Sequence, residues 1–243
     1  MNDNNLGVCR AAHGDRILSI DFPEDGKLRW RKIVRRSGSR PTGKYPSWKM
    51  GRMMQWESTN ELNAFRLLDA DPTVRKFYEQ PVRIRYMLDG KEHYHIPDVL
   101  VETAEGKFIW EIKPEQNASE ADVEKRTQLL SGLLPAYGYK YQIVLAEELG
   151  KKERIEAICQ TLRNGRLDIP IVNREQIRRT LLANASVTWG AVLDGMFGAR
   201  GKNYVCRMML EGYLEWSAMS RMTRETILQL RQTPTRPAEE EAA

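Results

Sequence analysis

Pro97-Asp98, twelve further residues and then Glu111-Ile112-Lys113 make up the stretch of this chain whose residue types and spacing most clearly suggest a reaction. A turn around Ala104-Glu105 sets Asp98 directly opposite Glu111 on an antiparallel hairpin, where partner Cβ atoms lie about 4.5–5.5 Å apart. Glu111 and Lys113 are two residues apart, so both side chains leave the same face of their strand, and Ile112 points the other way. Two carboxylates that close repel and shift each other's ionisation unless a cation lies between them. Oxygen donors suit a hard divalent ion, Mg²⁺, with Mn²⁺ as a substitute. The chemistry this suggests is metal-assisted phosphodiester hydrolysis. Asp98 and Glu111 would hold the ion and acidify a bound water, while Lys113 orients that water or offsets the charge of the transition state. The plain alternative is an exposed, salt-bridged strand face. Phe108, Trp110 and Ile112 argue against it, because they imply a buried strand, where bare acids are rare.

Glu61 is a third candidate acid. Ser58-Thr59-Asn60-Glu61 has the form of a capping box, so one reading is that Glu61 simply completes a helix cap. Phe65 and Leu68 follow it at helical spacing, which also places Glu61 at the edge of a buried stripe, where it could act as a ligand. His93 and His95 share one strand face. With no third nitrogen or sulfur ligand in view, they read as exposed strand histidines rather than a zinc site.

The net charge of +5 is unevenly spread. Residues 27–52 carry ten basic and no acidic side chains. Arg29, Arg31, Lys32, Arg35, Arg36, Arg40 and Lys44 are interleaved with Trp30, Tyr45 and Trp48, a pattern suited to tracking the phosphates of double-stranded DNA with some stacking. Near the other end, Lys202, Asn203 and Arg207 share a helix, and Asn203 and Arg207 stand one turn apart on one face, as a recognition helix requires. No stretch is long and apolar enough for a membrane span, and the polar first residues lack the apolar core of a signal peptide. Cys9, Cys159 and Cys206 are too few and too scattered for a disulfide framework, which points to a reducing cytoplasm.

The elements that must position these groups alternate in type. A helix runs from Ser58 to Asp71-Pro72. Strand-like runs follow at 82–86, 93–101 and 107–113, with a hairpin turn at Asp89-Gly90. A helix then spans 119–134, a strand 139–146 and a helix 151–163. This is an α/β chain with a mixed central sheet flanked by helices. Residues 174–184, 187–197 and 202–212 read as three short helices. Strands at 213–216 and 224–230 come next, in winged-helix order. The expected organisation is a basic arm (1–54), a catalytic core (55–165), a winged-helix domain (166–232) and a frayed tail (233–243).

Trp56-Glu57-Ser58-x-x-Glu61, Leu67-Leu68-x-x-Asp71-Pro72-x-Val74, Glu79-Gln80-Pro81, Pro97-Asp98 and Glu111-Ile112-Lys113 occur in this order. Together they resemble the TnsA-like endonuclease subunit of heteromeric transposases. The resemblance implies a restriction-endonuclease-like core of the PD-(D/E)xK superfamily and a C-terminal winged helix. It implies a nuclease that cuts the 5′ ends of a transposon while a separate DDE transposase joins the 3′ ends, with an AAA+ ATPase regulator as a further partner. The helix acid corresponds to Glu61, the strand acid to Asp98 and the lysine to Lys113. Some members carry Gln two residues before that lysine, where this chain has Glu111, so either Glu61 or Glu111 could be the main second ligand. Two rival readings remain at this level: a restriction or junction-resolving nuclease acting alone, and a non-catalytic DNA-binding adaptor.

Overall fold

The computed structural model describes residues 14–24, 27–30, 41–216 and 221–232. The first elements are β1 (Arg16–Asp21), β2 (Gly43–Ser47), β3 (Arg52–Trp56), α1 (Thr59–Ala70) and β4 (Val74–Glu79). Then come β5 (Arg83–Leu88), β6 (Lys91–His95), β7 (Val99–Thr103), β8 (Gly106–Lys113), α2 (Glu115–Ala118), α3 (Ala121–Leu133) and β9 (Tyr139–Leu145). The chain continues through α4 (Ala146–Leu149), α5 (Lys152–Asn164), α6 (Ile171–Asn184), β10 (Val187–Thr188), α7 (Trp189–Leu193), α8 (Gly201–Leu210), β11 (Leu214–Glu215) and β12 (Ile227–Leu230). These elements form two units, each discontinuous in sequence: residues 1–33 with 78–146, and residues 34–77 with 147–243.

The first unit holds the hairpin. β7 and β8 are antiparallel in the expected register, with Val99 opposite Trp110 and Thr103 opposite Gly106. β9 runs parallel to β8, so the sheet that holds the hairpin is mixed. A second sheet, β1-β5-β6, is antiparallel throughout. Asp89 (φ 50°) and Gly90 (φ 74°) turn the chain between β5 and β6. Two positive φ values in a two-residue loop match the right-handed twist of the flanking strands.

Residues 93–101 are not one strand as expected. The strand breaks at Ile96-Pro97-Asp98, and the two halves join different sheets. Proline has no N–H to offer a ladder, so the chain leaves one sheet there and enters the other. The helix expected over 119–134 is present as α3, and the short α2, which was not expected, precedes it after Pro114. Ile17, Val82, Ile84, Tyr86, Leu100, Ile109, Leu130 and Tyr141 form the core of this unit, with α3 adding Leu129.

In the second unit, the helix read from Ser58 is present as α1. Asp69 on α1 is fully buried and organises the β2–β3 segment. It accepts from the Tyr45 hydroxyl at 2.8 Å, the Ser47 hydroxyl at 2.7 Å and the backbone N–H groups of Trp48 and Lys49. A buried carboxylate with four donors has its desolvation offset. Tyr45 and Trp48, expected as stacking platforms, are thus tied into this network, and the Trp48 indole also donates to the Asp69 carbonyl. Further on, α6, α7 and α8 are followed by β11 and β12, and β10 completes a small sheet of order β10-β12-β11. Trp189, Ile177, Leu181, Val205, Met208 and Leu228 fill its core. Gly165, at the end of α5, lets α8 approach closely, since a Cβ there would lie 3.0 Å from the Cys206 backbone.

Candidate active site

Asp98 sits one residue before β7, where the hairpin ladder continues past the strand end. Its N–H donates to the Trp110 carbonyl at 3.2 Å, and its carbonyl accepts from Gln80 N–H at 2.9 Å. Its carboxylate accepts from the Ile112 N–H at 2.7 Å, which aims it across at β8. The segment that braces Asp98 is itself held tightly. Gln80 adopts a left-handed conformation (φ 44°), which costs a non-glycine residue about 1 kcal/mol. The preceding residue, Glu79, is fully buried and ion-paired with Arg29 at 2.8 Å. Glu79-Gln80-Pro81 therefore acts as a backbone clamp on Asp98.

Opposite Asp98, Glu111 is 3% exposed. The two oxygens of its carboxylate have different surroundings. Oε1 faces cations: Lys113 Nζ at 2.9 Å and Arg126 Nη2 at 3.7 Å. Oε2 lies 3.1 Å from His95 Nε2, within the range over which a ring N–H donates to a carboxylate. Burial on its own would push the Glu111 carboxyl up. The adjacent His95 ring and the Lys113 ammonium outweigh burial and hold it below the usual carboxylate range. Tyr141, on β9, places its hydroxyl 3.3 Å from the same His95 nitrogen. Burial, reinforced by the Glu111 charge, pushes that phenol up, so it stays protonated.

Asp98, Glu111 and Lys113 thus come together as the register predicts, all within the first unit. The structure adds three residues that sequence reasoning missed. Arg126 comes from α3 and Tyr141 from β9, both brought in by tertiary packing that no local spacing announces. His95, expected as an exposed strand histidine, is half-buried and turned toward Glu111 by the break at Pro97. The available signal was the short His95-Ile96-Pro97-Asp98 run, in which a strand-ending proline separates the ring from the acid.

The remaining expected site residues have the following surroundings. Glu61 is in the second unit and forms the capping contacts: Ser58 Oγ accepts from Glu61 N–H at 3.2 Å, and the Glu61 carboxylate accepts from Glu57 N–H at 2.9 Å. Arg31, Lys32, Arg35, Arg36 and Arg40 lie outside the described residues. Arg29 has its guanidinium on Glu79, and Lys44 is exposed on β2. On α8, Lys202 is half-buried, Asn203 donates to the Asn164 carbonyl at 3.0 Å, and Arg207 pairs with Glu211 at 2.7 Å while covering the Trp48 ring.

Residues 71–157 match the family model described as TnsA-like endonuclease N terminal. That stretch is similar to a TnsA-like endonuclease domain. The match includes both faces of the Asp98–Glu111 pair, Lys113 and all three residues added by the structure, while Glu61 precedes it. No curated protein matches the chain. Among the described residues, no group of three or more His, Cys, Asp and Glu side chains is arranged to hold a metal ion. What this stretch does offer is a pair of carboxylates, those of Asp98 and the buried Glu111, at opposed positions of the hairpin. That donor set suits Mg²⁺, which is commonly held by one or two carboxylates together with water and substrate phosphate. Among the described residues, no helix is long and apolar enough to cross a membrane.

Proposed function

We propose that this protein is a metal-dependent DNA endonuclease of a transposition complex, hydrolysing phosphodiester bonds at the 5′ ends of a transposon. The observation that carries the reading is the Asp98–Glu111 pair in register, with the Lys113 ammonium 2.9 Å from Glu111, inside the stretch similar to a TnsA-like endonuclease domain. A divalent cation, Mg²⁺ or Mn²⁺, would be held by Asp98 and Glu111 and would supply Lewis acidity and an acidified water. The chain's own groups do the rest. The Ile112 N–H fixes the Asp98 carboxylate, and the Gln80 clamp prevents the strand end from drifting. Lys113, about one-third exposed, reaches solvent from the Glu111 carboxylate, where it orients the attacking water and offsets charge that builds on the phosphate. Arg126 adds positive charge on the same side.

DNA is gripped by the arm residues Arg31, Lys32, Arg35, Arg36, Arg40 and Lys44. The α6–β12 segment is a winged helix, supported by its order of three helices and a three-stranded sheet. The partners are a DDE transposase, which joins the 3′ ends, and an AAA+ ATPase regulator, both following from the family resemblance.

The test uses an end-labelled transposon-end duplex with Mg²⁺ or Mn²⁺, with and without the transposase. The wild-type protein should nick the 5′ strand, and Asp98→Ala and Lys113→Ala should bind DNA without cutting it. Full cleavage by Asp98→Ala overturns the assignment. Efficient cutting of unrelated duplexes in the absence of the transposase would favour a stand-alone nuclease instead.

A further inference from the structure

The two oxygens of one buried carboxylate are divided between two strands. Glu111 Oε1 is 2.9 Å from the Lys113 ammonium on β8, and Oε2 is 3.1 Å from His95 Nε2 at the end of β6. Arg126 Nη2 stands farther off, at 3.7 Å, so Lys113 is the near partner of Oε1. The Glu111 side chain is 4% exposed and that of Lys113 is 31% exposed. One end of this line of contacts is therefore set in the interior, and the other reaches solvent.

His95 is the fixed post. Its backbone pairs with Ile84 in the β5–β6 ladder. Its ring meets the Tyr141 ring edge-on, with centroids 6.1 Å apart and planes at 72°. The Tyr141 hydroxyl lies 3.3 Å from Nε2. None of these contacts involves Glu111, so the ring is held whether or not the carboxylate is there. The Glu111 charge selects the tautomer with its proton on Nε2. The carboxylate then takes that proton in preference to the phenol oxygen, because a bond to a charged acceptor is about twice as strong as a neutral one. The hydrogen bond from His95 is among the causes that hold the Glu111 carboxyl below its ordinary range.

Glu111 and Lys113 do not position themselves. The terminal torsion of a glutamate is broad, so a carboxylate held at one oxygen can swing. A lysine carries its charge on a flexible four-carbon stem with no rigid fork to orient it. Once Oε2 is tied to His95, the direction of Oε1 is set, and that is where the Lys113 ammonium is found.

We propose that His95 is a positioning residue: through Nε2–H on Glu111 Oε2 it fixes the carboxylate, and through the carboxylate it places the Lys113 ammonium. What Lys113 does once placed rests on the nuclease reading given above, whereas the placement itself requires no cation.

The experiment reads Lys113 directly. The full chain is reductively methylated with ¹³C-formaldehyde, and the dimethyl-lysine signals are followed by two-dimensional NMR without metal or DNA. The Lys113 signal is the one lost in Lys113→Arg. In His95→Leu, which removes the donor, that signal should move toward those of exposed lysines. In His95→Gln, whose amide N–H can reach Oε2, it should stay near its wild-type position. Cleavage should follow the same order. The single-turnover rate on a transposon-end duplex should fall about tenfold or more in His95→Leu and recover in His95→Gln, with DNA affinity unchanged in both. Should His95→Leu not fold, His95→Asn, whose amide is too short to reach Oε2, takes its place with the same expectations. A Lys113 signal that stays put when the donor is removed overturns the positioning role. So does a His95→Gln signal displaced as far as that of His95→Leu. Either result leaves the nuclease reading intact while the wild-type protein cuts. A Lys113 signal that moves as expected in a protein that cuts no DNA upholds the positioning role and overturns the nuclease reading.

Discussion

Arg29 belongs to the basic run that the sequence assigns to DNA phosphate, yet its guanidinium is spent on Glu79, and the two uses predict different outcomes for Arg29→Ala. The Glu79 side chain is 1% exposed, that of Arg29 is 14% exposed, and the shortest N–O distance is 2.8 Å. Removing one partner of a buried pair strands the other charge, which costs about 3–5 kcal/mol. Because Arg29 keeps some exposure to solvent, the lower end applies, about 3 kcal/mol. In a chain of this size each kcal/mol moves the melting temperature by about 2–4 °C, so a drop of about 6–12 °C is expected. The damage should also spread. Gln80 follows Glu79 and donates its N–H to the Asp98 carbonyl, so a loosened Glu79 lets the catalytic acid drift. Cleavage should therefore fall further than the unfolded fraction explains. The assay is urea unfolding of Arg29→Ala, Glu79→Gln and the double variant, with DNA affinity measured against salt in parallel. A double variant less destabilised than the sum of the singles, by about 2 kcal/mol or more, is the expected coupling. The reasoning is refuted if Arg29→Ala leaves the melting temperature within a degree of wild type while the slope of log affinity against log salt becomes shallower by about one. That pair of results would put Arg29 on a phosphate.

Neutralising Arg31, Lys32, Arg35, Arg36 and Arg40 together should weaken DNA binding and reduce the salt slope by about 0.9 for each phosphate left without its cation, with Mn²⁺ binding unchanged. Glu61→Gln should cost about 1 kcal/mol as the α1 cap weakens, read by urea unfolding. The resemblance further implies loss of cleavage in the folded variant, and cleavage that persists would limit Glu61 to the cap. Burial pushes the Lys49 ammonium down to about 8, against the pull of Asp71 and Asp69. Its folded pKa lies below its unfolded value, so between about pH 8 and about 10.5 the unfolded chain binds more protons and stability rises with pH, by about 3 kcal/mol. Lys49→Met should lack that rise in urea unfolding at stepped pH, and an identical rise in the variant would place its origin elsewhere.

The hairpin was legible because everything that sets it is local. Phe108, Trp110 and Ile112 mark the strand, Ala104-Glu105 marks the turn, and a period of two then decides which residue faces which. Asp98, Glu111 and Lys113 follow from that arithmetic. The strand break at Pro97 was less visible, because the alternation of His93 to Val101 runs through it and only the missing N–H interrupts it. Arg126 and Tyr141 could not have been read at all. Their place beside Glu111 depends on how α3 packs and on β9 lying parallel to β8, which are decisions made between distant segments. The capping box at Ser58 was legible, as a motif spanning four residues should be. The pairing of Arg29 with Glu79 was not, because a run of basic residues looks the same whether or not one of them turns inward.

The first unit is stitched from two stretches of chain, and this has a consequence for how it is made. β1 is synthesised early, but Ile17 is opposite Tyr86 and Arg16 opposite Met87 in the finished sheet. Until β5 emerges, β1 is a strand with both edges open, and Arg29 has no Glu79 to meet. Pairing across so long an interval carries a large closure entropy and forms late. The nascent chain therefore passes through a period in which the Arg29–Glu79 pair behind the clamp has not formed. A fragment cut to the limits of the family match, 71–157, would lack both the outer strand of one sheet and Arg29, which pairs with Glu79.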